Sequence, residues 1–99
     1  MIYLSDTTLA ALNIPLPAIA DAIEAALRDK QDGALSTAPK SALLPGGGRY
    51  MMTTLAVGAY TVVKTASVSP DNPGRGLPSI NGAILILDAE TGLLRAVLD

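Results

Sequence analysis

The chain has 99 residues, enough for one small domain at most. Seven Lys and Arg residues against nine Asp and Glu residues give a net charge of −2, so no basic surface is available for nucleic acid or an anionic membrane. Cysteine and histidine are absent, which excludes disulfides, thiolate metal sites and Ser-His-Asp or Cys-His catalysis within these residues, and we expect no metal site.

The surface is expected to be short of charge. Hydrophobic residues make up 49% of the chain and charged residues 16%, whereas a typical soluble domain is about 25% charged. We therefore expect a partner, or the rest of a larger protein, to cover much of the surface. No segment resembles a signal peptide, and no apolar run approaches the roughly 20 residues that span a bilayer, which favours a cytoplasmic protein.

The N-terminal part predicts a short strand and two helices. Ile2–Leu4 has strand character, and Ser5 is a suitable N-cap for a helix over Asp6–Leu12. Pro17 is expected at the first position of a second helix, which Gly33 ends. One apolar stripe at helical spacing follows Pro17: Ile19, Ala22, Ile23, Ala26 and Leu27.

The remaining residues predict a sheet. Five strands are expected, over Lys40–Leu44, Arg49–Ala56, Tyr60–Val68, Ser79–Asp88 and Leu93–Leu98. Pro45–Gly48 and Ala89–Gly92 are predicted turns, and Ser69–Pro78 an irregular loop. Ser79–Asp88 is apolar on both faces, which is typical of a central or interface strand. For the last strand, Leu93–Leu98, the sequence shows no polar cap and no element that would cover its outer edge. The fold class is predicted to be α+β, with two N-terminal helices and a mostly antiparallel sheet.

Lys64 is the main candidate for a functional residue. Alternation along Tyr60–Val68 puts it on the same face as four residues without charge, so its ammonium must find an anion, reach solvent or lose its proton. Two interpretations stay open: a functional lysine lining a pocket, or a lysine on a solvated sheet face. Lys40 is expected at the surface on periodicity alone, and Gly46–Gly48 lacks the residues of a phosphate loop.

The order of motifs then points to a family. The sequence resembles the ornithine cyclodeaminase/mu-crystallin family along almost its whole length. The resembling segments, in order, are Tyr3–Asp6, Ala38–Lys40, Pro45–Gly48, Met51–Met52, Val62–Lys64, Ser69–Pro73, Gly76–Gly82, Leu87–Gly92 and Ala96–Asp99.

The resemblance implies an NAD(P)-dependent enzyme of amino-acid metabolism. Ornithine cyclodeaminase oxidises the α-amine of ornithine to an imine, loses ammonia as the ring closes and returns the hydride to give proline. Relatives reduce cyclic imines such as pyrroline-2-carboxylate or act as alanine dehydrogenases. In such enzymes an N-terminal α+β domain dimerises and contacts substrate, and a Rossmann domain binds NAD or NADP.

The same resemblance assigns roles to three residues. Lys64 matches a lysine that contacts the substrate carboxylate and handles a proton. Lys40 falls where many members have an arginine for that carboxylate, so it keeps the charge without the bidentate fork. Ser79 matches a residue that lies against the cofactor, and the histidine often found just after it is absent.

The resemblance implies that residues 1–99 are the substrate-binding and dimerisation region only, and these residues contain no dinucleotide-binding glycines. The chain is therefore expected to be a truncated part of a family member, inactive alone and homodimeric through its sheet, with a small amino or imino acid as substrate. A non-catalytic ligand-binding module of the mu-crystallin type is the alternative, beside a ketimine reductase or an alanine dehydrogenase.

Overall fold

Two helices and seven strands make up the computed structural model, which describes residues 1–99. The helices are α1 (Asp6–Ala11) and α2 (Leu16–Gln31). The strands are β1 (Ile2–Leu4), β2 (Ser36–Thr37), β3 (Ser41–Gly46), β4 (Arg49–Val57), β5 (Tyr60–Val68), β6 (Ile80–Asp88) and β7 (Leu94–Leu98).

The helix ends follow the capping signals of the sequence to within one or two residues. The Ser5 hydroxyl accepts a hydrogen bond from the Thr8 backbone N–H at 3.2 Å, which satisfies one donor that the first turn of α1 leaves free. α2 begins at Leu16, so Pro17 is its second residue rather than its first. Gly33 follows the helix with a φ of +80°, in the left-handed region that glycine adopts at little cost.

The strands form one sheet in the order β1-β7-β6-β5-β4-β2, and β3 also pairs with β4. Every pair is antiparallel except β1 with β7, which is parallel. The predicted α+β class with a mostly antiparallel sheet is confirmed, and β6 lies inside the sheet between β5 and β7. The expectation that nothing closes the last strand is wrong, because β1 pairs along the outer edge of β7.

Three local features differ from the prediction. β3 runs on to Gly46, which pairs with Arg49, so the hairpin loop is only Gly47 and Gly48, with φ values of +66° and +71°. Two positive φ values match the twist of a two-residue hairpin, and glycine supplies both. The two-residue strand β2 was not predicted because it is too short to show alternation. A 3₁₀ turn over Asn72–Arg75 lies within the predicted loop.

The molecule has no buried residue, and its surface is large for its mass. The accessible area is 7273 Å², whereas a compact monomer of 10.1 kDa exposes about 5,300 Å². The Cα radius of gyration is 15.6 Å, against about 13 Å for a typical domain of this length. The extensive contacts between elements all join paired strands, and the apolar stripe of α2 is open, with Leu27 63% exposed. Neither helix has the length and apolar character that crossing a membrane requires.

The turn between β6 and β7 provides a pH-dependent contact that can be tested. The Asp88 carboxylate accepts hydrogen bonds from the Thr91 N–H at 2.8 Å, the Thr91 hydroxyl at 2.9 Å and the Glu90 N–H at 3.0 Å. These bonds, those from Thr91 first, lower the pKa of Asp88 below its ordinary value of 3.8. Since the folded-state pKa is the lower one, the carboxylate stabilises the fold above the unfolded-state pKa.

We expect this contribution to be lost as the pH falls through the folded-state pKa of Asp88. The Asp88→Asn variant should therefore show a smaller loss of unfolding free energy than the wild type between about pH 6 and about pH 2. Urea denaturation at each pH, with the protein produced from its complete reading frame, measures this loss of unfolding free energy. Asp21→Asn is the control, because Asp21 lies on exposed α2 and makes no side-chain hydrogen bond. Equal pH slopes for Asp88→Asn and wild type would contradict the prediction.

Candidate functional site

One side of the sheet carries Lys64, and we call it the lysine face. Lys64 on β5 pairs directly with Thr54 on β4 and with Ile84 on β6. Because paired residues of adjacent strands point to the same side, the register defines this face across the sheet. Its other members near Lys64 are aromatic or aliphatic: Tyr50, Met52, Ala66, Val68, Ile80 and Leu98.

A cavity of about 480 Å³ opens on the lysine face. Lys64 lines it together with the residues just named, and Leu9 of α1 adds one more aliphatic side chain. Its volume falls within the roughly 300–1,000 Å³ that is common for small-molecule sites. A mostly apolar wall with a few polar groups is the arrangement by which such sites combine affinity with orientation.

The Lys64 side chain is exposed and free of protein partners. It makes no hydrogen bond, and the single ion pair of the structure joins Arg28 to Glu24 on α2. The Lys64 side chain therefore reaches solvent at the cavity. It is the one cationic side chain among the lining residues, so an anionic group entering the cavity would meet it.

Asp99 supplies the one carboxylate of the cavity wall. Its Oδ2 accepts a hydrogen bond from the Tyr3 hydroxyl at 2.8 Å, which ties the residue after β7 to β1. This hydrogen bond raises the pKa of Tyr3, since losing the phenol proton would place two negative charges side by side. The Asp99 carboxylate is therefore partly satisfied, but a second oxygen remains for another donor.

Lys40 lies outside the residues that line the cavity. It precedes β3, in a bulge: three residues separate Thr37 from Ser41, but only two separate their partners Ala56 and Thr53. The bulge lies opposite Thr54, the neighbour of Lys64, so the two lysines are two strands apart, about 10 Å at the backbone. Both side chains are long enough to reach toward one ligand from this spacing.

Ser79 also lies just outside the cavity, immediately before β6, but its position is well defined. Its carbonyl accepts a hydrogen bond from the Ser69 N–H at 2.7 Å across the base of the loop. The preceding Pro78 carbonyl accepts two more, from the side-chain amides of Asn72 and Asn81 at 3.0 Å each. These three hydrogen bonds fix the backbone of the loop, so Ser79 is held at the edge of the cavity.

Sequence reasoning did not single out Tyr50, Asn81 or Asp99 as site residues. Tyr50 could have been found by extending the alternation of β4 from Met52, which shares its face. Asn81 pairs with Ser67, so alternation places it on the side of the sheet opposite to Lys64, and Asp99 follows the last residue of β7. Alternation therefore does not predict that either residue lines the cavity. No three His, Cys, Asp or Glu side chains come together as a metal site would require.

Comparison with known proteins agrees with the fold and identifies the family. The model of the ornithine cyclodeaminase/mu-crystallin family matches residues 5–99. The nodulation efficiency protein NfeD of Rhizobium meliloti is 31% identical over 100 residues, which covers 98% of this chain and 31% of that protein. Delta(1)-pyrroline-2-carboxylate reductase 1 of Burkholderia multivorans is 38% identical over 56 residues, covering 57% of this chain and 18% of that protein.

A solved structure shares the whole fold. An archaeal alanine dehydrogenase dimer with bound NAD superposes with a TM-score of 0.90 and 26% identity, over 100% of this chain and 31% of that one. The chain thus spans about a third of the length of these relatives or less. Since the family model matches nearly every residue, the chain belongs to the ornithine cyclodeaminase/mu-crystallin family.

Proposed function

We propose that these residues form the substrate-binding part of an NAD(P)-dependent oxidoreductase that acts on a small amino or imino acid. The observation that carries the proposal is Lys64, an unpaired ammonium at the wall of an otherwise mostly apolar cavity. Such a group binds the carboxylate that every amino or imino acid substrate has, while the wall takes the rest of the molecule. Lys64 can also exchange a proton with substrate.

The character of the wall favours a substrate with an apolar remainder. Met52, Val68 and Ile84 line the same cavity as Lys64, and their side chains offer no partner to a second charged group. A cyclic imine carboxylate such as pyrroline-2-carboxylate meets these conditions, and one relative is a reductase of this compound. Reduction of a cyclic imine is therefore our first candidate reaction.

Ornithine cyclisation to proline with loss of ammonia is the second candidate. Asp99 favours it, because a carboxylate on the cavity wall can hold the side-chain ammonium of ornithine while Lys64 holds the carboxylate. Against it stands the Tyr3 hydrogen bond, which already occupies one oxygen of Asp99. Alanine has no charged side chain and therefore needs Lys64 but not Asp99, and the archaeal relative is an alanine dehydrogenase.

The residues of this chain are suited to contact only a part of a dinucleotide cofactor. Ser79 can place a hydroxyl against the cofactor, and the clamped loop fixes its backbone. The Gly47–Gly48 turn joins two strands, whereas a dinucleotide-binding loop joins a strand to a helix. We propose that NAD or NADP, which supplies hydride transfer when bound, is held mainly by residues outside this chain.

We also propose that the protein forms a homodimer through its sheet. The accessible surface exceeds that of a compact monomer by about 2,000 Å², which is more than the roughly 800 Å² that each partner contributes to a standard interface. The archaeal alanine dehydrogenase of the same fold is a dimer. Sedimentation of the protein produced from its complete reading frame should give twice the monomer mass. A monomer at micromolar concentration would contradict this part of the proposal.

The activity is tested by substrate comparison. The protein from the complete reading frame is incubated with NADH or NADPH and pyrroline-2-carboxylate, or with NAD or NADP and either alanine or ornithine. Cofactor absorbance at 340 nm follows the reduction of the imine and the oxidation of alanine. Proline is measured as the product of the imine and of ornithine, because ornithine cyclisation returns the hydride and leaves the absorbance unchanged. We expect the highest kcat/KM with the cyclic imine. Carboxylate binding without turnover of any substrate would favour the alternative, a ligand-binding module of the mu-crystallin type.

A further inference from the structure

A second concave site, separate from the Lys64 cavity, lies where β4 begins and β5 ends. It has a volume of about 330 Å³ and no hydrophobic residue in its wall. The lining residues are Arg49, Ser69, Pro70, Asp71, Asn72 and Arg75. None of them lines the Lys64 cavity. We call it the arginine cavity.

Two distant parts of the sequence bring the arginines of this cavity together. Arg49 is the first residue of β4, directly after the Gly47–Gly48 turn, and its Nε donates to the Gly46 carbonyl at 3.4 Å. Arg75 ends the 3₁₀ turn of the loop between β5 and β6. The loop is held at its base by the bond from Ser69 to Ser79 and internally by the Leu77 N–H, which donates to the Asn72 carbonyl at 3.0 Å.

The positive charge of the cavity is not neutralised by the protein. Asp71 is the one acidic residue in the wall, and no carboxylate lies within 4.0 Å of either guanidinium, since the single ion pair is on α2. Both arginines are exposed, so their side chains can turn toward a ligand. Both arginines and Ser69 line this polar space, and two guanidinium forks with one hydroxyl form a donor set that suits a group rich in acceptor oxygens.

We propose that the arginine cavity binds a phosphate group. A phosphate ester carries close to two negative charges near neutral pH and three strong acceptor oxygens, and arginine binds such a group through two parallel N–H donors. One carboxylate beside two guanidiniums leaves a net positive charge to meet it. The volume exceeds that of the phosphate alone, which leaves room for part of the molecule that bears it.

The phosphate can come from two sources, inorganic phosphate or a phosphorylated nucleotide. Ser69 lines the arginine cavity and also donates the hydrogen bond that fixes the Ser79 backbone. The cavity therefore lies next to the residue that we propose contacts the cofactor. The nucleotide source rests on the proposed function, but phosphate binding itself does not. Inorganic phosphate is therefore the first probe, and NADP against NAD is the second.

The test measures phosphate binding by titration calorimetry and ³¹P line broadening on the protein from the complete reading frame. We expect Arg49→Gln and Arg75→Gln each to weaken phosphate binding about tenfold or more, because each removes one fork. Asp71→Asn should tighten it several-fold, because it removes a repelling charge from the wall. Arg95→Gln on β7 is the control, since it removes the same charge at a distance. Circular dichroism verifies the fold of each variant.

Each outcome decides the proposal. Opposite effects at Asp71 and at the two arginines, with Arg95→Gln unchanged, support a built phosphate site. Equal weakening by Arg95→Gln, or no effect of either arginine, would overturn it in favour of general charge attraction. Tighter binding of NADP than of NAD that is lost in Arg75→Gln identifies the nucleotide as the source. Equal binding of the two cofactors, with phosphate still bound, identifies inorganic phosphate. Because binding is measured without turnover, the phosphate-binding result can be interpreted even if the proposed activity is not found.

Discussion

Replacing Lys64 by methionine is expected to lower kcat/KM for the carboxylate substrate by at least about 30-fold. Methionine keeps most of the length and apolar character of the side chain but removes its charge. Losing one partner of a close charge pair costs about 2 kcal/mol or more, which corresponds to this factor. KM should rise, since the ammonium binds the substrate carboxylate, and kcat should fall if Lys64 also transfers a proton.

Stability separates this effect from misfolding. Lys64 makes no hydrogen bond or ion pair, so the variant should unfold at the same denaturant concentration as the wild type or at a higher one. Lys30→Met removes a charge from exposed α2 and serves as the matched control. Lys64→Arg should retain part of the binding. An unchanged kcat/KM in Lys64→Met would remove the residue from the site and the proposed function with it.

Gly82→Ala is expected to destabilise the protein by roughly 3 kcal/mol, at the upper end of the cost of overpacking. A Cβ atom at Gly82 would lie 2.2 Å from the Thr65 carbonyl oxygen and 3.3 Å from the Ala66 Cα. Both contacts are backbone atoms of the paired strand β5, so no side chain can move away. Strands β5 and β6 must separate instead, and the Lys64 cavity lies across that pair.

Urea denaturation of the full-length protein measures the effect, and Gly74→Ala is the control. A Cβ at Gly74 meets no atom within 4 Å, so this variant makes the same chemical change without a clash. We expect its stability to stay within about 0.5 kcal/mol of the wild type, as for most surface substitutions. Equal stability of the Gly74→Ala and Gly82→Ala variants would contradict the close approach of β5 and β6.

Local signals in the sequence were sufficient for the helices and the long strands. Ser5 and Gly33 set helix ends through their own backbone and hydroxyl chemistry, and period-two alternation defined β5 and the face of Lys64. Pairing was harder, because the partner of a strand depends on the whole chain. The parallel pair of β1 with β7 carries no local signature, and β2 is only two residues long.

The site was predictable where it depends on alternation and not where it depends on strand ends. Lys64 was found because a charge stands out among the uncharged residues of its face. Lys40 could not be placed, because the bulge before β3 breaks the alternation that would have given its side. The arginine cavity joins two residues 26 positions apart through a loop whose shape no periodicity describes. The roles of Lys40 and Ser79 stay predictions, and the role of Lys64 is a prediction that the Lys64→Met variant tests.

The parallel pairing of β1 with β7 has a consequence for the order in which the chain folds. Ile2 pairs with Ala96 and Leu4 with Leu98, so these contacts span almost the full length of the chain. Contacts between residues so far apart in sequence form late, since the loop entropy must be overcome first. During synthesis β1 is made before β7, and the residues that pair with it follow 94 positions later in the sequence. Until β7 has been made, β1 is a three-residue apolar segment without a partner strand.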